Sequence, residues 1–211
     1  MKVLLINGSP NAKGCTYTAL HEAEKILNEE GIETVWVNVP SNIPSCAACD
    51  MCHKTHEGCI KKDKVNETYE LLDECDGLIV GTPVYYAGPS GSLMSYLDRL
   101  FYSYPHKKSL NMKAAAAIAN SRRAGNITSN DVISKFFSIS GMAIITSTYW
   151  NDPHGLSPED VAKDEEGLQT MRNLGRNMAY YLKMRKLAEE NGLEGPLIEQ
   201  GNVTDFIRLK I

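Results

Sequence analysis

Four of the six cysteines in this chain fall in one short stretch, SCAACDMCHKTHEGC, at the spacing Cys46-x2-Cys49-x2-Cys52-x6-Cys59. Three sulfurs this close in sequence can reach adjacent corners of an iron-sulfur cubane, and a fourth from the same loop completes the ligand set of a [4Fe-4S] cluster. Structural zinc more usually joins two Cys-x-x-Cys knuckles across a longer insert, and an ordered loop of free thiols has the same spacing. The residues alone leave cluster, free thiols and zinc open, in that order. The other two cysteines are simpler. Cys75 sits at a helix-to-strand junction and reads as a small buried residue, and Cys15 sits at a helix N-terminus that could lower its pKa. Neither reads as a nucleophile.

A second group of residues suits an anion. In NGSPNAKGCTYT, residues 7–18, glycines and a proline follow an apolar run, and Ser9, Thr16 and Thr18 supply hydroxyls. The unpaired amides at the start of the following helix point outward, and the helix dipole favours negative charge there. The loop is neither the G-x-G-x-x-G of a dinucleotide fold nor a G-x-x-x-x-G-K-[ST] loop, since Lys13 precedes Gly14; the bland alternative is a turn with a helix cap. Two more loops emerge at the same place. GTPVYYAGPSG offers a proline-stiffened backbone and two tyrosines, Tyr85 and Tyr86, suited to stacking on a flat ring, although either could pack inward as core. NSRRAGN, residues 120–126, adds turn residues and two guanidiniums. Together the three loops specify a phosphorylated planar ligand better than any one does. In the loop after the last strand, His154 could donate a proton near such a ring or merely bond to backbone, and Trp150 reads as core or interface. No paired carboxylates, Ser-His-Asp set or HExxH appears, so hydrolysis has no machinery.

These loops need elements to hold them. Val3–Ile6 reads as a strand buried on both faces, Thr16–Glu30 as an amphipathic helix, and Thr34–Val39 as a second strand. Helices at Asn66–Glu74, Ser90–Tyr102, Asn130–Ile139 and Glu165–Glu190 alternate with strands at Gly77–Gly81, Lys113–Ala119 and Met142–Thr146, and Glu165 and Glu166 complement the N-terminus of the last helix. This alternation predicts an α/β fold, a three-layer α/β/α sandwich on a five-stranded parallel sheet in order 2-1-3-4-5, with ligand at the carboxyl ends of strands 1, 3 and 4. One domain is expected over 1–190, with the cysteine loop at 43–62 and a tail at 191–211 whose TDFIRLKI would form a short strand or pack on a second subunit.

Composition narrows the partners. The chain has 211 residues and a formal net charge of -4, and Lys and Arg never run longer than two, as at Lys107 and Lys108. That offers no face to a phosphate backbone, so no nucleic acid is expected. No apolar run is long enough for a membrane span and the opening apolar stretch is too short for a signal peptide, which predicts a cytoplasmic protein with reduced thiols.

With GSPxxxGxT, GTPVYYAGPSGSLMSYLDR and SRRAGN in place, the chain over roughly residues 1–185 resembles the flavodoxin-like NAD(P)H-dependent FMN reductases, and its cysteine motif resembles their iron-sulfur flavoprotein branch. The resemblance implies FMN, with Ser9, Asn11, Gly14, Cys15, Thr16 and Tyr17 around its phosphate. Pro83, Val84, Tyr85, Tyr86 and Ala87 would line the isoalloxazine and ribityl chain, and Asn120, Ser121, Arg122 and Gly125 would close the other side. Where many relatives carry Arg and Asn, this chain has Asn11 and Cys15, so that a charged phosphate contact is either missing or replaced by Lys13. Cys46, Cys49, Cys52 and Cys59 would be the metal ligands. The implied activity passes electrons from NAD(P)H through FMN to a small-molecule acceptor such as a quinone or flavin, or to the cluster, with no side chain required to be catalytic. A flavodoxin-type electron carrier without nicotinamide turnover is the rival. A homodimer or homotetramer with the flavin at a subunit boundary is expected.

Overall fold

The computed structural model describes residues 1–105, 109–199, 201, 202 and 204. Its main strands are β1 (Lys2–Asn7), β2 (Glu33–Asn38), β3 (Gly77–Tyr85), β5 (Ala114–Asn120) and β6 (Ala143–Ile144), joined in parallel in the order β2-β1-β3-β5-β6; β4 (Gly88–Pro89) pairs antiparallel with the end of β3. Apart from that two-residue addition, this is the expected order. The helices are α1 (Cys15–Glu29), α2 (Met51–Thr55), α3 (Lys64–Glu74), α4 (Gly91–Tyr102), α5 (Asn126–Ile139), α6 (Pro158–Val161) and α7 (Glu165–Glu190).

Because successive side chains of a strand point to opposite faces, an all-apolar strand feeds two cores. Leu4 and Ile6 of β1 join Leu78, Val80 and Ala115 beneath α3, α4 and α5. Val3 and Leu5 join Ile79, Ala116 and Ile118 beneath α1 and α7. In α7 the buried residues Met171, Leu174, Met178 and Leu182 recur at helical spacing and keep that long helix on the sheet. The alanines of β5 are all buried, which lets helices lie close on both faces of the strand.

The differences from the sequence reading lie at the edge that carries the loops. β3 runs past Gly81 to Tyr85 because Val84 and Tyr85 pair back onto Pro89 and Gly88 in a tight hairpin, where the sequence suggested only a loop. α5 begins at Asn126 rather than Asn130: Gly125, at φ +94°, turns the chain, and Asn126 Nδ2 donates to Ala119 O. The fifth main strand is two residues long instead of five. After Ile145 N donates to Ala115 O the chain leaves the sheet, and it returns when Ala119 N donates to Asn151 O. In the gap the side chain of Asn151 takes the place of a strand, donating from Nδ2 to Ala117 O. The described tail residues 193–199 form no strand or helix, and TDFIRLKI beyond Thr204 lies outside the described residues, as do Lys107 and Lys108. Among the described residues no helix is long and apolar enough to cross a membrane.

Candidate functional site

The loop after β1 is held by its own side chains. Asn7, fully buried at the strand end, accepts from Ser9 N through Oδ1 and donates through Nδ2 to Ala12 O and Asn38 Oδ1. Ser9 Oγ accepts from Asn11 N, and Asn11 Oδ1 from Lys13 N. Gly8 N donates to Gly81 O, and a Cβ on Gly8 would lie 2.7 Å from Leu93 Cδ2, so only glycine lets the loop sit this deep. Ser90 latches it from α4: its Oγ donates to Gly8 O at 2.6 Å, and its N donates to Thr82 Oγ1 at 3.1 Å. Neither Asn7 nor Ser90 stands out in the sequence as a site residue, because each acts through a partner in another part of the chain or on the backbone.

This loop delivers an uncapped helix start. Gly14 provides no side-chain cap to α1, and no acidic residue occupies the first turn. Thr16 is 1% exposed, and its Oγ1 is buried with no hydrogen-bond partner. Leaving a hydroxyl in that state costs about 1–3 kcal/mol, which an incoming anion oxygen would offset. A phosphate therefore fits here on the evidence of the protein's own unsatisfied group. Cys15 departs from expectation, since partial burial raises its thiol pKa in spite of the helix start. The ring of Tyr17 is engaged within the protein, stacking on His21 at 5.4 Å and tilting against Trp36.

At the same edge Pro83 and Val84 are half-buried, while Tyr85 is 49% exposed and Tyr86 fully exposed. Neither tyrosine packs into the core. Tyr86 and Ala87 are the two central residues of the hairpin and both have positive φ, 48° and 62°. Such turns favour Asn-Gly, and holding two side-chain-bearing residues there stores strain of the kind that gathers at ligand sites. The third loop is fitted against this hairpin: a Cβ on Gly125 would lie 2.7 Å from Val84 Cγ1 and 2.8 Å from Ala87 Cα. Asn120 and Ser121 are buried, with Asn120 Nδ2 donating to Pro153 O and Ser121 Oγ to Asn126 Oδ1, whereas Arg122 is exposed. His154 forms a parallel bridge with Ser121, which places its exposed residue beside the third loop, and its backbone N donates to Asp164 Oδ2. Trp150 is 57% exposed and meets Tyr149 edge-on rather than packing as core.

The cysteine loop meets the last turn of α4, at Arg99 and Tyr102, whereas Ser90 at the helix start bonds the loop after β1. Cys46 and Cys49 are exposed, Cys52 lies on the short α2, and Cys59 is partly buried; none is in a disulfide. Positive φ at Ala48, Asp50, His56 and Gly58 coils the loop on itself. All four sulfur-bearing residues line one recess, which Asp50, Lys61, Arg99 and Tyr102 also help to line. Its inner end is rigid. Cys59 N donates to Tyr69 Oη, Asn66 Nδ2 donates to Cys59 O, and a Cβ on Gly58 would strike the Tyr69 ring at 2.5 Å. Beneath it Arg99, 1% exposed, donates to Cys59 Sγ, to the Asp63 carboxylate and to the carbonyls of Pro44 and Lys61. Arg99 is the residue that sequence reading missed most plainly, for it looks like one more polar position on α4. Among the described residues no group of three or more His, Cys, Asp or Glu side chains is arranged so as to hold a metal ion. Four thiols that line one recess are the donor type an iron-sulfur group takes.

Comparison with known proteins gives the family. The family model for NADPH-dependent FMN reductase matches residues 1–156. An iron-sulfur flavoprotein of Methanocaldococcus jannaschii is 35% identical over 196 residues, covering 88% of this chain and 100% of its own, and one of Archaeoglobus fulgidus is 31% identical over 84% and 95%. An FMN reductase (NADPH) of Pseudomonas putida is 32% identical over 57% of each chain at most. Among solved structures a flavodoxin from the domain Archaea superposes with a TM-score of 0.57 at 15% identity, covering 87% of this chain and 99% of its own, and a flavone reductase with 0.65 at 16% identity, covering 88% and 64%; both show the fold alone. With its phosphate-type loop, its strained tyrosine hairpin and its four-thiol recess on a flavodoxin-like sheet, the chain belongs to the NADPH-dependent FMN reductase family, alongside relatives named iron-sulfur flavoproteins.

Proposed function

We propose that this protein is an FMN-dependent oxidoreductase that takes electrons from NAD(P)H and passes them to a small acceptor, such as a quinone or flavin, or to a [4Fe-4S] cluster on Cys46, Cys49, Cys52 and Cys59. The observation that carries the reading is the partnerless Thr16 hydroxyl at the uncapped start of α1, at the sheet edge shared with the tyrosine hairpin and the third loop. Ser9, Asn11, Gly14, Cys15, Thr16 and Tyr17 hold the phosphate, mostly through hydroxyls and backbone amides, with exposed Lys13 as the nearby positive charge. Pro83 to Ala87 hold the ring and ribityl chain on one side and Asn120, Ser121, Arg122 and Gly125 on the other. Bound FMN supplies the hydride-accepting and electron-passing chemistry. The protein orients it, and the glycine-fitted contacts between loops keep the three walls from shifting apart. Names of relatives support both cofactors: the matched family is described as NADPH-dependent, and the archaeal relatives are named iron-sulfur flavoproteins.

The test is anaerobic. Pure protein carrying flavin should lose its flavin absorbance on addition of NADPH or NADH, and protein purified without oxygen should contain flavin, iron and sulfide together. A flavin that neither nicotinamide bleaches would leave a flavodoxin-type carrier in place of an enzyme. We further place the working protein in the cytoplasm as a homodimer or homotetramer. Tyr180, Met184 and Leu187 form an exposed stripe on α7, and Ile139 is 87% exposed beside an apolar cleft of about 1100 Å³ that reaches the cysteine loop. Light scattering of the flavin-loaded protein at micromolar concentration should give a multiple of 23.3 kDa; a fully active monomer would rule out a shared site.

A further inference from the structure

We propose that Arg99 positions the cysteine-loop centre and sets its reduction potential by holding a guanidinium against Cys59, an inference that rests on the cluster reading above. The four ligands are unequal. Cys46 and Cys49 sit on the exposed outer part of the loop, and among the described residues Cys59 alone of the four has a cationic side chain bonded to its sulfur. Arg99 Nε and Nη2 each lie 3.4 Å from Cys59 Sγ. Nη1 donates to Pro44 O at 3.2 Å and Asp63 Oδ2 at 2.7 Å, and Nη2 to Lys61 O at 2.9 Å and Asp63 Oδ1 at 3.0 Å. One side chain thus ties the start of the loop, at residue 44, to its end at 59–63.

A tie of this kind would be structural only if its charge were irrelevant, and two observations say otherwise. The guanidinium is buried, so its field is weakly screened, and it points at a sulfur that carries negative charge when it ligates metal. Adding an electron to the centre increases the negative charge on its sulfurs, so a donor fixed at Cys59 favours the reduced form and raises the potential. Asp63 draws on the same guanidinium and opposes that effect. Lysine would keep the charge, but its three donors on a compact ammonium cannot span the sulfur, the carboxylate and both carbonyls.

The experiment measures the midpoint potential of the cluster by dithionite titration followed by electron paramagnetic resonance, on anaerobically purified wild type, R99K, R99Q and D63N. The potential should fall in R99K and fall further in R99Q. It should rise in D63N, which removes the counter-charge and the bond from Nη1 to Oδ2, while Asn Oδ1 can still accept from Val65 N and Arg99 Nη2. Opposite shifts are what a merely structural role would not produce. If R99Q fails to fold, R99K and D63N still decide the sign. Potentials unmoved from wild type in those two, or loss of iron from both, would reduce Arg99 to a tie and overturn the proposal. Iron absent from anaerobic wild type would instead overturn the cluster reading and this inference with it.

Discussion

The two candidate cofactor regions meet opposite ends of α4, at Ser90 and at Arg99, and are built on opposite plans. The proposed phosphate loop is fixed by the protein alone: Asn7, Ser9 and Ser90 bond its backbone, Gly8 seats it on Leu93, and what remains open is one hydroxyl and the start of a helix. The cysteine loop is finished only at its inner end, where Arg99, Tyr69 and Asn66 hold Cys59 and its neighbours, while Cys46 and Cys49 stay exposed. The difference follows from where each sits. A loop at the carboxyl edge of a parallel sheet inherits the order of the strands around it. An insert between β2 and α3 pairs with no strand, so it is held by side chains: Arg99, Tyr69 and Asn66 at its inner end, and Lys61 and Tyr102 on its outer part.

The contrast can be broken most sharply with Thr16→Glu, which places a carboxylate where the phosphate belongs. Flavin should be lost outright, with iron content unchanged; tight flavin retention would refute the phosphate site. Cys49→Ser is the converse. It should abolish the brown colour and bound iron of anaerobically purified protein while leaving flavin stoichiometry and the folded α/β spectrum intact, because the exposed thiol supports nothing else; unchanged iron would exclude the cluster. A smaller effect probes the strain in the hairpin. Replacing Tyr86 and Ala87 together with Asn and Gly should stabilise the flavin-free protein by about 1–2 kcal/mol in urea unfolding, as positive φ becomes easy to adopt. The same change should weaken flavin binding, and if stability does not rise the strain is absent.

A last effect, confined to alkaline pH, is on the common scaffold and should leave both regions alike. Burial pushes the Cys75 thiol up to about 12 from an ordinary value of 9.0, with Lys2 and Lys113 only partly opposing. The folded protein thus keeps this proton to higher pH than the unfolded chain does. Its contribution to stability is complete below about pH 9 and is lost as pH rises toward 12. Cys75→Ala should therefore flatten the alkaline decline in unfolding free energy, at the cost of a small cavity near neutral pH; an equally steep decline in the variant would show that other groups, such as buried tyrosines, set it.

Periodicity and spacing along the chain determined a good deal. The apolar runs of β1 and β3, the helical repeats of α1 and α7 and the turn residues between them give the strand order and the edge at which the loops meet, because burial on both faces of a parallel sheet leaves an unmistakable local pattern. The Cys46–Cys59 motif was legible for the same reason, as its chemistry lies in short spacing. Tertiary structure alone decided the rest. Arg99 reaches Cys59 across 40 residues and Ser90 reaches Gly8 O across 82, and neither pairing leaves a trace in local pattern. The side chain of Asn151 stands in for a strand at the sheet edge, which shortens β6 where apolar sequence suggested five residues. The Cys15 thiol moves up rather than down because the desolvation that acts on it comes from packing around the loop, whereas the helix start is all that sequence shows. Elements are set by side chains that repeat with the backbone's own period; sites are set by single donors and acceptors whose partners the fold alone brings within bonding distance.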